Sequence, residues 1–334
     1  MVSHASRTPL AFLPSPSISG FHVGPLFVHF YGLMYVVGIA LAIYITRRRW
    51  SALGGDPVLV ADVATWAVPA GIIGGRIYFD ITTPADIPPH WWGVFAVWSG
   101  GLGIWGGIAL GAAAGIWRVR RAGASASLFA NAIAPALLVA QAVGRIGNYF
   151  NQELFGKPSG LPWALEISPS HRPGGYGAFG TFQPTFLYEL IFDLAWAAVL
   201  VWLGHHRNIR APGLFALYVA GYSAFRIFEE TLRIDSSEHF LGLRLNFYVA
   251  SIGVIAGLTW FVLSQRRARG TAPPGGDDEG GDVAGDAGIG GDADLAEHSD
   301  LAEHRDPAEH GEQDGDRRPD GPDGAAVQSA TSET

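Results

Sequence analysis

The stretch LFANAIAPALLVAQAVGRIGNYF, residues 128–150, is a long apolar run with an arginine near its carboxyl end. A helix of about 20 apolar residues, rising 1.5 Å per residue, crosses a bilayer core of about 30 Å. An arginine within that core costs about 2.5–3.5 kcal/mol on insertion scales. The stretch therefore predicts a membrane helix, and we expect Arg145 within it either to pair with another polar group or to have a functional role.

Six further apolar stretches have the length of a membrane helix. Together with the first they give seven predicted spans, at about residues 25–46, 58–80, 94–117, 128–150, 185–203, 213–230 and 245–264. The sequence therefore predicts an all-α polytopic membrane protein with seven transmembrane helices. Residues 151–184, between the fourth and fifth spans, are rich in Pro, Gly and aromatic residues, and we expect them to form an extracytoplasmic cap.

Basic clusters follow each odd-numbered span. They consist of Arg47, Arg48 and Arg49, of Arg118, Arg120 and Arg121, of Arg207 and Arg210, and of Arg266, Arg267 and Arg269. Basic residues in short loops favour the cytoplasmic side of a membrane. The pattern predicts an extracytoplasmic N-terminal segment over residues 1–24, a seven-helix transmembrane domain over residues 25–270, and a cytoplasmic C-terminal tail.

The tail differs from the rest of the chain in charge and in composition. Residues 271–334 hold 18 acidic and 3 basic residues and almost no large apolar ones. Such a segment cannot bury enough apolar surface to offset the entropy of ordering, so we expect a disordered acidic tail. The chain has no cysteine, which excludes disulfides and a thiol nucleophile of its own.

Polar residues that are costly in a membrane gather at the predicted outer ends of six spans. They are His29, Tyr31, Arg76, Asp80, Trp105, Arg145, Asn148, Glu153, Gln183, Glu189, Arg226 and Glu230, with Arg233 and Asn246 close in sequence. The guanidinium fork matches two phosphate oxygens, so Arg145 and Arg226 suit an anionic lipid headgroup. Ordinary alternatives stay open: Arg76 and Arg233 can snorkel to headgroups, and Glu230 can simply pair with Arg226 four residues before it.

The motifs that contain these residues resemble those of the prolipoprotein diacylglyceryl transferase family. In chain order they are HFYGLMYVVG from residue 29, GGR from 74, SGGLGIWGG from 99, GRIGNYFNQELFG from 144, QPTFLYE from 183 and FRIFEETLR from 225. The resemblance covers residues 24–269. It implies a bacterial plasma-membrane enzyme that moves the diacylglyceryl group of phosphatidylglycerol to the lipobox cysteine of a prolipoprotein, forming a thioether and releasing glycerol-1-phosphate.

The same resemblance implies roles for individual residues. Arg145 would hold the phosphate, and Arg226 would stabilise charge on the leaving phosphate. The other residues with an implied catalytic or lipid-binding role are Tyr31, Asn148, Asn151, Glu153 and Glu230. Of these, the two asparagines would orient the headgroup, the two glutamates would fix the arginines, and the tyrosine would donate a hydrogen bond. Neither a metal nor another cofactor is implied.

Three positions depart from the family pattern, and one of them is Asn131, which stands where some members have aspartate. Trp105 and Gln183 stand where many members have histidine, and neither side chain can accept a proton from a thiol. The base could be His29 or Glu153, or the thiol proton could leave to phosphate or water without a side-chain base.

Two other classes of function stay open on the sequence alone. Intramembrane Arg and Glu residues also mark transporters and channels for anionic solutes, although those proteins need polar groups through both leaflets. A catalytically inactive relative that only binds lipid or lipoprotein would fit the two replaced histidines. No basic patch indicates a nucleic-acid partner.

Overall fold

The computed structural model describes residues 12–235, 239–240 and 242–267, and these residues form mainly α-helices. The helices are α1 (Phe30–Ala52), α2 (Val58–Thr82), α3 (Ile104–Arg121), α4 (Ala126–Asn151), α5 (Thr185–His206), α6 (Gly213–Leu232) and α7 (Leu245–Arg267). Five of them, all except α3 and α6, are long and apolar enough to cross a membrane. The predicted tail over 271–334 lies outside the described residues, as do residues 1–11 of the predicted N-terminal segment.

The predicted start of the first span is wrong. Leu26–His29 forms strand β2, which pairs antiparallel with β1 (Gly20–Val23), and α1 begins only at Phe30. Gly24 lies in the turn between the strands with a φ of 58°, a left-handed conformation that glycine adopts readily. The hairpin therefore replaces the first turn of the expected helix.

The predicted start of the third span is also wrong. Residues 93–99 form two short 3₁₀ turns, and α3 begins at Ile104, so this helix has 18 residues. Gly100 and Gly101, with φ of 86° and 79°, change the direction of the backbone just before this helix. Three arginines in the last turn of α3 further shorten its apolar part.

Arg76 anchors the irregular segment between α2 and α3. Its guanidinium donates hydrogen bonds to the carbonyl oxygens of Val94 at 3.0 Å, Gly100 at 2.8 Å and Gly93 at 2.7 Å, and it lies 3.1 Å from Asp80. Arg76 is buried. It therefore does not snorkel to headgroups, because its donors are used by the backbone of this segment.

Close glycine packing fixes α3 against α2. A Cβ atom at Gly74 would lie 2.3 Å from the carbonyl oxygen of Gly106, and one at Gly106 would lie 2.1 Å from that of Gly74. The two backbones are thus in direct contact, as small residues permit in membrane helix pairs. This contact places the first turn of α3, with Trp105, beside the last turns of α2.

The segment between α4 and α5 has an apolar core of its own. Strand β3 (Leu165–Glu166) pairs with β4 (Thr181–Phe182), and the core residues of this segment are Phe155, Leu165, Ile167 and Phe182. The backbone N–H of Leu13 bonds to Ala164, and that of Lys157 bonds to Leu232 at the end of α6, both at 2.8 Å. A second hairpin, β5 (His239–Phe240) and β6 (Leu243–Arg244), precedes α7. The segment between α4 and α5 and the β5–β6 hairpin therefore lie at the helix ends where α4 and α6 finish.

Candidate active site

Glu189, in the second turn of α5, joins two arginines from other helices. Its Oε1 atom lies 2.6 Å from Nη2 of Arg145 on α4 and accepts a hydrogen bond from the Tyr222 hydroxyl at 3.0 Å. Its Oε2 atom lies 3.6 Å from Nη1 of Arg226 on α6, an ion-pair contact that is not a hydrogen bond. Glu189 is 0 % exposed. A single buried carboxylate thus lies between two guanidinium groups.

Arg226 contacts two further carboxylates on its own helix. Its Nη1 donates to Glu229 and its Nη2 donates to Oε1 of Glu230 at 2.8 Å. Both glutamates are buried. Residues three and four positions apart share a helix face, so the helix geometry alone brings this triplet together. The expected contact between Glu230 and Arg226 is therefore present in the structure.

The end of α4 carries a short polar chain. Nη1 of Arg145 donates to Oδ1 of Asn148 at 3.2 Å, and Nδ2 of Asn148 donates to Glu153 at 2.7 Å. Asn151 also donates to Glu153, at 3.3 Å. Gln152 ends the helix in a left-handed conformation, with a φ of 51°, which turns the chain so that Glu153 comes back to Asn148.

The expectation that Glu153 fixes an arginine is wrong. Within the described residues, Glu153 hydrogen-bonds to the two asparagines and forms no ion pair with Arg145. The carboxylate that holds Arg145 is Glu189. Glu153 instead orients the amide groups of Asn148 and Asn151.

Tyr31 lies against the turn of α4 that carries Arg145. A Cβ atom at Gly147 would lie 2.6 Å from Cδ2 of the Tyr31 ring, so only glycine leaves room for this contact. The Tyr31 and Tyr35 hydroxyls are 2.9 Å apart. Tyr31 is therefore placed beside the polar chain of α4, and its hydroxyl is not bonded to an arginine in the described part of the protein.

The structure does not bring the other candidates into the arginine cluster by direct contact. His29 is exposed and contacts the Phe27 ring edge to face, with centroids 4.6 Å apart. Trp105 is 49 % exposed in the first turn of α3, and no hydrogen bond joins it to another described residue. Gln183 accepts from Tyr188 at 2.6 Å, at the junction between β4 and α5.

Sequence reasoning missed several buried polar residues of this site. It placed Glu189 near the outer end of the fifth span without assigning it a role, and it did not single out Glu229, Tyr222 or Asp193. Asp193 is 0 % exposed, and neither of its carboxylate oxygens has a hydrogen-bond partner among the described residues. The signal was available, because two acidic residues four positions apart in the apolar stretch TFLYELIFDLAWAAVLVW are costly in a membrane helix.

The cluster offers two fixed, largely buried cations beside the carboxylates with which they pair. Two guanidinium groups from different helices converge on Glu189, Arg145 through a charge-assisted hydrogen bond, which is stronger than a neutral one, and Arg226 through an ion-pair contact. Fixed cations in a site that excludes water stabilise charge that develops on a reacting group. The arrangement can hold a phosphate in contact with both arginines once a carboxylate yields its place.

Comparison with known proteins relates the sequence to a family. A family model described as prolipoprotein diacylglyceryl transferase matches residues 19–263. A Frankia alni protein named phosphatidylglycerol–prolipoprotein diacylglyceryl transferase is 45 % identical over 262 residues, which are 77 % of this chain and 68 % of that protein. Proteins of the same name from Bifidobacterium adolescentis and Cutibacterium acnes are 43 % and 45 % identical, covering 78 % and 79 % of this chain and 82 % and 91 % of their own lengths.

Proposed function

Because this chain belongs to the prolipoprotein diacylglyceryl transferase family, we propose that it transfers the diacylglyceryl group of phosphatidylglycerol to the lipobox cysteine of prolipoproteins. It is a transferase of lipoprotein biosynthesis and a multi-pass membrane protein. The substrate names belong to the relatives, and the arginine cluster is the feature of this chain that supports carrying them over.

The reaction exchanges one bond at the third glycerol carbon of the lipid. The cysteine sulfur attacks that carbon and forms a C–S bond, while the C–O bond to phosphate breaks and its electron pair stays on the phosphate oxygen. The thiol proton must be released, and glycerol-1-phosphate leaves. The phosphate gains a negative charge in this step, so fixed cations beside it lower the barrier.

The observation that carries the proposal is the meeting of Arg145 and Arg226 at one carboxylate, Glu189. We assign Arg145 to the phosphate. Its two η nitrogens, which donate to Asn148 and Glu189 in the structure, would form a fork with two phosphate oxygens. Arg226 stabilises the charge that appears on the leaving oxygen. Guanidinium groups suit this task because they stay charged and bind two oxygens at once.

The residues beside Arg145 suit the polar part of the lipid. Asn148 and Asn151, both bonded to Glu153, present amides whose orientation is fixed. We assign them to the glycerol hydroxyls of the headgroup. The Tyr31 hydroxyl, which is bonded only to Tyr35 among the described residues, is available as a donor to the lipid.

We propose that no histidine removes the thiol proton in this protein. Trp105 offers no acceptor, and His29 is directed at the Phe27 ring. The leaving phosphate becomes a dianion during the reaction, which makes it an acceptor for the thiol proton. The proton released by the thiol is then taken up by the glycerol phosphate that leaves.

We further propose the membrane arrangement that the charges favour. The seven helices all span the membrane, the arginine cluster lies in the outer leaflet, and the segment between α4 and α5 caps it from outside. The N-terminus is outside, and the tail over 271–334 is a cytoplasmic extension of a catalytic domain over 25–270. The basic clusters between helices and the end of the family match at residue 263 support this arrangement.

The decisive experiment is turnover by the purified native chain. Mixed micelles contain phosphatidylglycerol and a synthetic lipobox peptide, and mass spectrometry follows the thioether while glycerol phosphate is measured separately. We expect both products in equal amounts, and none with a serine in place of the peptide cysteine. A folded native chain that binds phosphatidylglycerol without forming thioether would be an inactive relative, and the transferase proposal would be overturned.

A further inference from the structure

The buried carboxylate of Glu230 lies between two arginines, Arg226 and Arg244. Its Oε1 atom accepts hydrogen bonds from Nη2 of Arg226 at 2.8 Å and from Nδ2 of Asn246 at 3.1 Å. Its Oε2 atom lies 2.6 Å from Nε of Arg244. The Nε–H bond does not point at this oxygen, so the contact with Arg244 is a close charge pair and not a directed hydrogen bond. Glu230 is buried and has two cations for one charge.

Arg244 is itself held in place by the loop that follows α6. Its Nη2 atom lies 3.1 Å from Oδ2 of Asp235, and its Nη1 donates to the Asp235 carbonyl oxygen at 3.0 Å. Asp235 is also held by Arg233, through Nε at 2.7 Å and Nη2 at 2.9 Å. Arg244 is therefore a fixed cation between the loop and the buried Glu230.

This second cation resolves a difficulty at Arg226. Both η nitrogens of Arg226 already donate to glutamates, so a phosphate that forms a fork on the same edge of the guanidinium competes with one of these glutamates for its place. A buried carboxylate that loses its only cation is left with an uncompensated charge, which is strongly unfavourable. Among the ion pairs of the described residues, Glu229 pairs with Arg226 alone, whereas Glu230 keeps Arg244.

We propose that Arg244 is a positioning residue that keeps Glu230 paired when Nη2 of Arg226 turns from Glu230 to the phosphate of the substrate. This inference rests on the proposed function, because it concerns how the lipid phosphate enters the same cluster. Arg244 touches no substrate. It lowers the cost of the exchange, and Asn246 supplies the remaining hydrogen bond to Glu230.

The first test replaces Arg244 and separates binding from chemistry. In Arg244→Gln, we expect KM for phosphatidylglycerol to rise by at least about tenfold, because the exchange would strand a buried carboxylate. The turnover number should change much less, because Arg226 itself is intact. Arg244→Lys keeps the charge without the two-sided contact, and we expect an intermediate KM. The matched control is Arg118→Gln. It breaks an ion pair with Asp62 between the end of α3 and the start of α2, at the helix ends away from the arginine cluster, and should leave KM unchanged.

The second test asks whether Arg244 acts through Glu230. Glu230→Gln removes the charge that needs compensation, so adding Arg244→Gln to it should raise KM no further. Independent, additive effects of the two changes would overturn the inference. A native KM in Arg244→Gln would also overturn it, as would a native KM in Arg244→Lys should the Gln variant fail to fold.

A binding measurement keeps this inference apart from the proposed function. Equilibrium binding of phosphatidylglycerol to the same variants, without peptide, does not require turnover. A native chain that binds the lipid but forms no thioether would defeat the transferase proposal, while a weakened affinity in Arg244→Gln would still support the role of Arg244. Turnover by the native chain together with a native lipid affinity in Arg244→Gln would support the transferase proposal and overturn the role of Arg244.

Discussion

The guanidinium of Arg145 and the carboxylate of Glu189 lie 2.6 Å apart on two different helices, and Glu189 is completely buried. This pair ties α4 to α5 at the level of the proposed lipid phosphate. It also means that the cation proposed to bind substrate is already paired in the free protein. A phosphate that binds the guanidinium as a fork competes with this carboxylate, so the shape of the cation matters as well as its charge.

The first prediction concerns that shape. Arg145→Lys should lose activity nearly as fully as Arg145→Ala, by about 10²–10³-fold in the turnover number, because an ammonium cannot form a two-pronged contact with phosphate. Turnover of a lipobox peptide with phosphatidylglycerol measures this. Arg118→Lys, at the opposite ends of the helices, is the control for a tolerated change of the same kind. Near-native turnover by Arg145→Lys would reduce Arg145 to a simple point charge.

The second prediction compares two buried acids on one helix. Glu189 pairs with two arginines, whereas Asp193, four residues later, has no hydrogen-bond partner among the described residues. Removing one member of a buried ion pair costs about 3–5 kcal/mol, since the other charge stays buried. Glu189→Gln should therefore lower the thermal midpoint in detergent clearly. Asp193→Asn should not lower it, because no pair is broken, and an equal loss in both variants would contradict this difference.

The third prediction concerns pH and the loop after α6. Burial alone raises the pKa of Asp235, but the hydrogen bond from Arg233 and the charges of Arg233 and Arg244 outweigh it and hold the pKa below its usual range. A carboxylate with a lowered folded pKa stabilises the protein above its unfolded pKa of about 3.9, and this contribution is lost as the pH falls through the folded value.

The corresponding measurement is a pair of thermal midpoints for the native protein and Asp235→Asn. At neutral pH the variant should melt lower, because the full contribution of the carboxylate is missing. The difference should shrink as the pH falls below about 4, where the carboxylate of the unfolded chain takes up a proton, and it should vanish once the pH lies below the lowered pKa of the folded protein. A gap that stays constant across this range would show that Asp235 contributes through shape and not through its charge.

The helical fold was largely predictable from apolar runs, but two element starts were not. An α-helix lies in each of the seven predicted spans. The errors fall at residues 25–29 and 94–103, which are as apolar as the helices they adjoin. Turn glycines with positive φ decide the structure there, and hydropathy does not register backbone conformation.

Arg145 and Arg226 stood out in the sequence, but most of the contacts they make in the cluster did not. Arg226 and Glu230 share one helix, so their spacing fixed the pairing. The partner of Arg145 is on another helix, and its identity depends on how α5 is rotated against α4. A helix that is apolar on all sides gives little information about that rotation. Glu153 was misplaced because the left-handed turn at Gln152 reverses the chain.

The fourth prediction tests the proposed orientation. The chain has no cysteine, so single cysteines can be introduced without a background signal. In intact cells a cysteine at Ser170, in the segment between α4 and α5, should react with a membrane-impermeant thiol reagent. A cysteine at His206, in the last turn of α5, should react only after the membrane is opened. Both positions are exposed in the structure, so burial does not explain a difference, and the opposite labelling pattern would place the arginine cluster in the inner leaflet.

The last prediction concerns Trp105, which is about half exposed in the first turn of α3. Indole has one N–H donor and no acceptor, so this side chain cannot take a proton from a thiol. Trp105→Phe should therefore keep measurable turnover, well above that of Arg145→Ala, and Trp105→His should bring no large gain at any pH near neutrality. The measurement is turnover of a lipobox peptide by the purified variants across that pH range. An inactive native chain that becomes active only as Trp105→His would mean that the reaction needs an imidazole here, and the native protein would then be a non-catalytic relative.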